Sequence, residues 1–259
     1  LKINFIGTGS GVISSNRFFT SFLIDSNGYK LLVEAGDGIT GILLARNIDI
    51  NQINGLLISH LHRDHAGGFE GLITQMKLRQ RKLPMKVFVQ NKIKPVLELN
   101  LLQSYIFPER LGFDFDIVGF EEDQKFSISE SLFCKSKENN HLLKYEKYKS
   151  DEKFIISSSS FLFGEDGLNL FYSGDIGDIK DLLLFKDEPV THIITETSHI
   201  KIEQLIEFLD NHYRLEGIYL THIPEELEMS ILAFHKTLND DLRNKIVITS
   251  DGMNLELKS

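Results

Sequence analysis

The stretch ISHLHRDHAG, Ile58–Gly67, places three of the chain's nine histidines and one aspartate within six residues. The apolar run GLLIS (Gly55–Ser59) before it reads as a strand, and GFEGLITQMKLRQ (Gly68–Gln80) after it has the spacing of an amphipathic helix. His60 and His62 alternate, so on an extended chain end they point the same way. Asp64 and His65 fall where the helix should begin. Imidazole and carboxylate suit zinc, manganese or iron. With the small residues Ala66, Gly67 and Gly68 beside them, the four side chains read as metal ligands rather than as a solvated turn.

The remaining sequence is that of a globular protein. Its 259 residues are 42% hydrophobic, enough for a substantial core, with nineteen Phe and no Trp. The apolar runs are too short to span a bilayer, and no charged and apolar leader opens the chain, which starts at Leu1. The cytoplasm is the expected location. Cys134 is the lone cysteine, so neither a disulfide framework nor a multi-thiolate metal site is expected. A formal net charge of −9 argues against a general nucleic-acid-coating surface. KLRQRKLPMK (Lys77–Lys86) and the lysines from Lys135 to Lys153 could still form a local basic strip, the plain alternative being solvated faces.

Strand-like and helical segments alternate without a linker or a repeat, which predicts a single domain over residues 1–259. KINFIG, FTSFLID and YKLLVEAG read as an N-terminal meander, followed by helix ITGILLARNI and the strand leading to His60. KVFVQ reads as strand, KPVLELNLLQSYI contains a helix, and DFDIVGF, KFSISESLFCKS, KFIISSSSFLFG and LNLFYSG form a second β-rich half. The end alternates again: strand HIITE, helix KIEQLIEFLDNHY, strand GIYLTH, helix ELEMSILAFHKTL and strand KIVITS. A meander with a βα tail, occurring twice, fits an α/β (α+β) protein in which two mixed sheets pack face to face with helices outside.

HLHRDH matches the HxHxDH signature of the metallo-β-lactamase fold, and the resemblance, closest to the ribonuclease Z branch, extends over nearly the whole chain. FIGTGSGV, LVEAGDG, ISHLHRDHAGGFEGL, YSGDIGD, TETSH and YLTHI follow that family's order. The resemblance implies the four-layer αββα sandwich. It also implies further metal ligands at His141 in NNHLLKY, Asp175 in YSGDIG and His222 in YLTHI. Taken alone, these would be an exposed loop histidine, a turn or N-cap aspartate and a half-buried strand-end histidine.

In the family pattern His60, His62, His141 and Asp175 surround one divalent ion. Asp64, His65, His222 and the shared Asp175 surround the other. Zinc is the expected metal, with manganese and iron as alternatives, and such a pair activates water and polarises a phosphoryl or carbonyl oxygen. Glu34 and Asp37 in VEAGDG would orient ligand histidines, or else form structural salt bridges.

Asp64, Glu196 and His199 are the expected catalytic residues. In ribonuclease Z a histidine precedes the corresponding glutamate and a second follows a longer insert. Here Thr195 replaces the first, and His199 resembles the second, brought near Glu196 by a shortened loop. The reading is that His199 donates a proton or contacts phosphate and Glu196 orients it, against a water-exposed residue at a helix start. His192, His212 and His235 match no ligand position.

Three departures weaken the case for tRNA processing. The loop ISSNRF keeps only Arg17 of the family's pattern, the interval between His141 and Asp175 has no long Gly/Pro-rich arm, and THIPEEL lacks the usual Ser and Arg. The expected function is a dinuclear-metal phosphodiesterase, with a small or cyclic nucleotide-like substrate ahead of an RNA 3′ end. Ester, thioester or lactone hydrolysis is the enzymatic alternative, and a metal-bound sensor or binding scaffold the non-enzymatic one. A homodimer is expected from the family's habit, and no membrane partner.

Overall fold

In the computed structural model, which describes residues 1–149 and 154–258, the first sheet is built from the N-terminal half plus one strand from the C-terminal end. Its strands are β1 (Lys2–Gly7), β2 (Ser21–Ser26), β3 (Tyr29–Val33), β4 (Gly55–Leu57), β5 (Met85–Gln90) and β6 (Phe115–Phe120), in that spatial order. β14 (Asn254–Glu256) pairs antiparallel with β1 at the edge. β1, β2 and β3 are antiparallel, and from β3 to β6 each pairing is parallel.

The second sheet has the order β13-β12-β11-β10-β9-β8-β7. Its strands are β7 (Lys125–Ser127), β8 (Phe133–Glu138), β9 (Ser159–Glu165), β10 (Leu168–Tyr172), β11 (His192–Glu196), β12 (Gly217–Thr221) and β13 (Ile246–Ile248). β10 to β13 run parallel, whereas β7 to β10 form antiparallel pairs. KFSISESLFCKS forms a hairpin, in which Ser129 turns the chain: its side chain accepts from the amides of Ser131 and Leu132. The Lys153 end of KFIISSSSFLFG lies outside the described residues.

Alternation of side chains sorts the core into layers. Leu31, Val33, Leu57 and Phe88 meet Phe161, Phe163, Leu170 and Tyr172 between the sheets. The intervening Leu32, Leu56, Val87 and Val89 instead pack beneath α1 (Ile39–Ala45), α3 (Phe69–Leu78) and α4 (Lys94–Gln103). Leu162, Phe171, Ile193 and Ile218 turn outward beneath α5 (Ile202–His212) and α6 (Glu228–Thr237). This is the four-layer αββα sandwich. Phe5, Phe22, Phe88, Phe161 and Phe163 are at most 1% exposed, and burying each stabilises the sheet interface by roughly 2–3 kcal/mol.

Two short elements had no counterpart in the sequence reading: β14, and α7 (Asp240–Lys245), whose start is capped by the Asn239 side chain accepting from the Leu242 amide. Some cations of the two basic runs are taken up by the fold, while Arg79, Lys82 and Lys86 stay exposed. Arg81 is fully buried and donates to the carbonyls of Ile50, Asn51, Ile53, Leu83 and Pro84. Lys135 and Lys137 pair with Glu188 and Asp123, and Lys149 with Glu146. Lys153 lies outside the described residues. No helix among the described residues is long and apolar enough to cross a membrane.

Candidate metal centre

The site lies where strands of both sheets end. β4 runs out at Leu57, and the extended chain carries His60 and His62 to the start of α2 (Arg63–Ala66), which holds Asp64 and His65. The short helix is locked by close backbone contact: the Ala35 amide donates to the His65 carbonyl at 2.7 Å, and a Cβ on Gly36 would collide with the Asp64 carbonyl. The family-like VEAGDG stretch thus supplies the surface against which the histidine motif is set.

The second sheet delivers three more side chains. His141 follows β8, with its amide donating to Asn139 Oδ1. Asp175 follows β10. Asp181, itself buried, accepts from the amides of Asn140 and Gly177 and so ties the His141 loop to the turn after Asp175. His222 ends β12 with a left-handed backbone, φ 51°, a conformation that costs a non-glycine residue on the order of 1 kcal/mol and clusters at functional sites.

The seven side chains converge. Ligand atoms of His60, His62, His141 and Asp175 lie within 4.8 Å of one another, as do those of Asp64, His65, Asp175 and His222. Asp175 belongs to both groups through different oxygens. Its Oδ1 lies 3.2 Å from His65 Nε2 and 3.4 Å from His222 Nε2, whereas Oδ2 lies 3.6 Å from His141 Nε2. Asp64 Oδ2 completes its group at 3.3 Å from His222 Nε2 and 3.4 Å from His65 Nε2.

A divalent cation fits each group. The Nε2 atoms of His60 and His65 are buried without a hydrogen-bond partner, which is costly unless something else satisfies them. Five imidazoles, two carboxylates and no thiolate form a donor set for borderline divalent ions. The far nitrogens of two rings are hydrogen-bonded, with Ser59 Oγ 2.9 Å from His60 Nδ1 and Ser198 Oγ 2.5 Å from His222 Nδ1, while the Glu34 carboxylate lies 3.4 Å from His65 Nδ1 without hydrogen-bond geometry. These contacts aim Nε2 inward, as partners of metal-binding histidines do.

Electrostatics agree. Burial, reinforced by neighbouring histidines, pushes His60 well below the usual histidine range. It lowers His62 as well and takes His141 down to about 3, leaving neutral imidazoles. Burial also opposes charge on His65 and His222, but there nearby carboxylates outweigh it and hold both upward, Asp175, Glu34 and Asp64 at His65 and Asp175 and Asp64 at His222. Burial likewise opposes charge on Asp64 and Asp175, and the neighbouring histidines overcome it, keeping both carboxylates ionised. A cation at these atoms would replace protons, so its binding should release them.

Glu196 and His199 stand at the edge of this cluster. His199 Nδ1 lies 2.6 Å from Glu196 Oε1, and buried Glu196 also accepts from the amides of Ile176, Ser198 and His199. The hydrogen bond to Glu196 raises the His199 pKa against the opposing effect of burial. The His199 ring centroid is 5.1 Å from that of His141, with the side chain 34% exposed. Its Nε2 is the nitrogen left to meet a ligand.

Other expectations divide. Glu34 touches His65 and accepts from Ser59 N and Tyr172 Oη. Asp37 is corrected: it is exposed, its amide donates to the Arg63 carbonyl, and it has no contact to a site histidine. Arg17 is buried in a structural role, donating to Thr8 Oγ1 and the Thr249 carbonyl and pairing with Glu228. His192 is a buried strand residue, while His212 and His235 lie on α5 and α6. Ser59, Ser198, Asn139, Asp181 and Tyr172 escaped the sequence reading, since a Ser beside a motif histidine carries no signal of its own. Tyr145 did too, with its ring edge-on to His62 at 6.1 Å.

Fold and site define a metal-dependent hydrolase of the metallo-β-lactamase fold, of the phosphodiesterase or nuclease kind. The ester-hydrolase and sensor alternatives are not favoured. The profile of the family described as Anti-Pycsar protein Apyc1 matches residues 1–252, and the chain belongs to that family. It is 26% identical to the ribonuclease Z of Saccharolobus solfataricus over 296 aligned positions, which cover 93% of this chain and 98% of that protein. Human tRNase Z, short form, shares the fold with a TM-score of 0.69 at 18% identity, covering 100% of both chains. Unliganded yeast PDE1 has a TM-score of 0.69 at 13% identity, covering 99% of each chain.

Proposed function

We propose that residues 1–259 act as one hydrolase domain that cleaves small nucleotide-like phosphodiesters, cyclic nucleotides foremost, using two divalent ions, zinc foremost. The observation that carries this is Asp175, whose two oxygens face separate histidine groups while the Glu196–His199 pair stands beside them. His60, His62 and His141 with one Asp175 oxygen would hold one ion; Asp64, His65 and His222 with the other oxygen would hold the second. Such a pair supplies a nucleophile from water at neutral pH and neutralises charge on the phosphoryl group.

The chain's own groups do the rest. Ser59, Glu34 and Ser198 fix the ring orientations of His60, His65 and His222. As water adds to phosphorus and the bond to the leaving oxygen breaks, His199 Nε2 donates a proton to that oxygen, and the proton lost by water passes to solvent. Glu196 keeps Nδ1 engaged and stabilises the protonated ring.

A small substrate is supported by the short His141–Asp175 interval. Among its described residues only a 3₁₀ turn, Leu143–Tyr148, precedes β9, so they offer no long arm for a tRNA body. The net charge of −9 adds to this. The relationship to a ribonuclease Z keeps an RNA 3′ end as the second substrate class. Exposed Ile13 and Phe18 line a groove against α1 and supply apolar area for a homodimer, which light scattering would test.

The deciding experiment compares cyclic nucleotides, a pre-tRNA 3′ trailer and an acyl lactone at equal zinc or manganese loading. Preferred turnover of cyclic nucleotides is expected. Turnover of the lactone alone, or of nothing in the panel, would sink the proposal.

A further inference from the structure

His199 borders a second feature besides the metal cluster. A groove of about 670 Å³ runs from it along α5, between the turn Gly177–Ile179 and the helix face bearing Lys201, Gln204, Phe208 and Asn211. Its volume lies within the range of small-molecule sites, about 300–1,000 Å³. We infer that this groove is the subsite for the nucleoside that carries the leaving oxygen, an inference that rests on the phosphodiesterase reading and on His199 as the proton donor.

The argument begins with direction. A donor that protonates the leaving oxygen stands between the phosphorus and whatever that oxygen is attached to. With Nδ1 held by Glu196, the ring stands beside His141 of the cluster and also lines the groove. The leaving portion of the substrate therefore enters the groove.

Charge then sorts which part of a nucleotide belongs there. Asp178 and Glu207 lie on its walls, and both are exposed carboxylate residues. They repel phosphate, so the phosphoryl group stays with the histidine cluster and an uncharged part is favoured in the groove. Lys201, two positions after His199, is the lysine among the lining residues.

The lining also has the chemistry of a nucleobase. Gln204 and Asn211 are exposed amides that donate and accept at once, as base edges require. They stand seven positions apart, two helical turns, on the same face of α5. Half-buried Ile200 and Phe208 supply the apolar surface against which a base plane can lie. Phe208 is held by stacking on His212, centroids 4.2 Å apart.

The test uses the metal-loaded full chain with purine and pyrimidine 3′,5′-cyclic monophosphates and with bis(p-nitrophenyl) phosphate, which has no base to read. Gln204 and Asn211 are exposed, so Gln204→Ala and Asn211→Ala should fold. The ratio of kcat/KM for the better cyclic nucleotide to that for the diester should fall about tenfold in at least one variant, chiefly through KM. Calorimetry should show a nucleoside 5′-monophosphate weakened relative to inorganic phosphate in the same variant. An unchanged ratio in both variants would overturn the subsite, as would wild-type turnover of the diester without any cyclic nucleotide. Wild-type silence on both substrates would overturn the phosphodiesterase reading and the subsite with it.

Discussion

Gly11 sits against Asp64 so closely that a Cβ placed on it would stand 2.9 Å from Asp64 Oδ2. The same oxygen meets His65 and His222 at 3.4 and 3.3 Å, so the carboxylate cannot yield without leaving its group. Gly11→Ala should therefore act on the metal centre rather than on the fold. We expect metal affinity about 10- to 100-fold weaker, the size of loss seen when groups supporting a ligand are disturbed. The metal-free variant should melt within about 2 °C of the wild type. Metal titration and a thermal melt check both, and wild-type affinity would rule out the contact as a constraint.

The shared position of Asp175 predicts a stoichiometry. Wild-type protein should bind two equivalents of zinc. His222→Ala, which touches only one group, should retain one tight equivalent, whereas Asp175→Ala should weaken both sites, because one of its oxygens is withdrawn from each. Elemental analysis after equilibrium dialysis makes the comparison. One equivalent lost cleanly in Asp175→Ala would argue against a bridging carboxylate.

The role of His199 predicts dependence on the leaving group. An alkoxide needs a proton as it departs and p-nitrophenolate hardly does, so His199→Ala should lower kcat on a cyclic nucleotide by about 10² to 10⁴-fold and on bis(p-nitrophenyl) phosphate much less. Glu196→Gln should follow the same pattern more weakly, since its 2.6 Å contact positions the ring. Equal losses on both substrates would point to a damaged site, and zinc content, expected at the wild-type level, separates the two.

What the sequence revealed depended on whether a residue's role is local. His60, His62, Asp64 and His65 were legible because strand alternation and a helix start place them together within a few residues. His141, Asp175 and His222 come from three separate chain crossings, and only the resemblance joined them. The sheet pattern was readable from alternation, yet β14 is three residues long and mostly exposed, too short for any period to emerge. Asp37 looked like the companion of Glu34 in VEAGDG, but the turn after Glu34, with its φ of 64°, sends it outward to solvent.

Arg81 is the case where composition misled most, since a basic run suggested a surface and the guanidinium is 1% exposed. It gathers five carbonyls from the turn before β4 and the approach to β5. Burial lowers its pKa to about 10, so it stays charged at neutral pH. Arg81→Met should remove several charge-assisted bonds at once and cost about 3–5 kcal/mol. Arg81→Lys should rescue little, because an ammonium has three donors and no planar fork. Urea denaturation measures both, and a loss below about 1 kcal/mol in the Met variant would contradict the role.

Glu122 gives a pH dependence whose sign follows from burial. Burial raises its pKa, only partly countered by hydrogen bonds from Ser159 and Ser136, and its Oε2 is buried without a partner. A carboxyl with a higher pKa folded than unfolded binds protons preferentially in the native state, so its contribution to stability falls as pH rises through that interval. At pH 7 to 8 the ionised group is therefore a liability, which Glu122→Gln removes while keeping a partner for Ser159 Oγ, the donor to Glu122 Oε1 at 2.6 Å. The variant should melt about 2 °C above wild type at pH 7.5. That margin should shrink on acidification and disappear once the pH is below the ordinary glutamate range, where the native carboxyl is protonated and the unfolded one is too. Paired melts across pH 4 to 8 supply the measurement; a margin that grows on acidification would mean that the ionised carboxylate is the stabilising form.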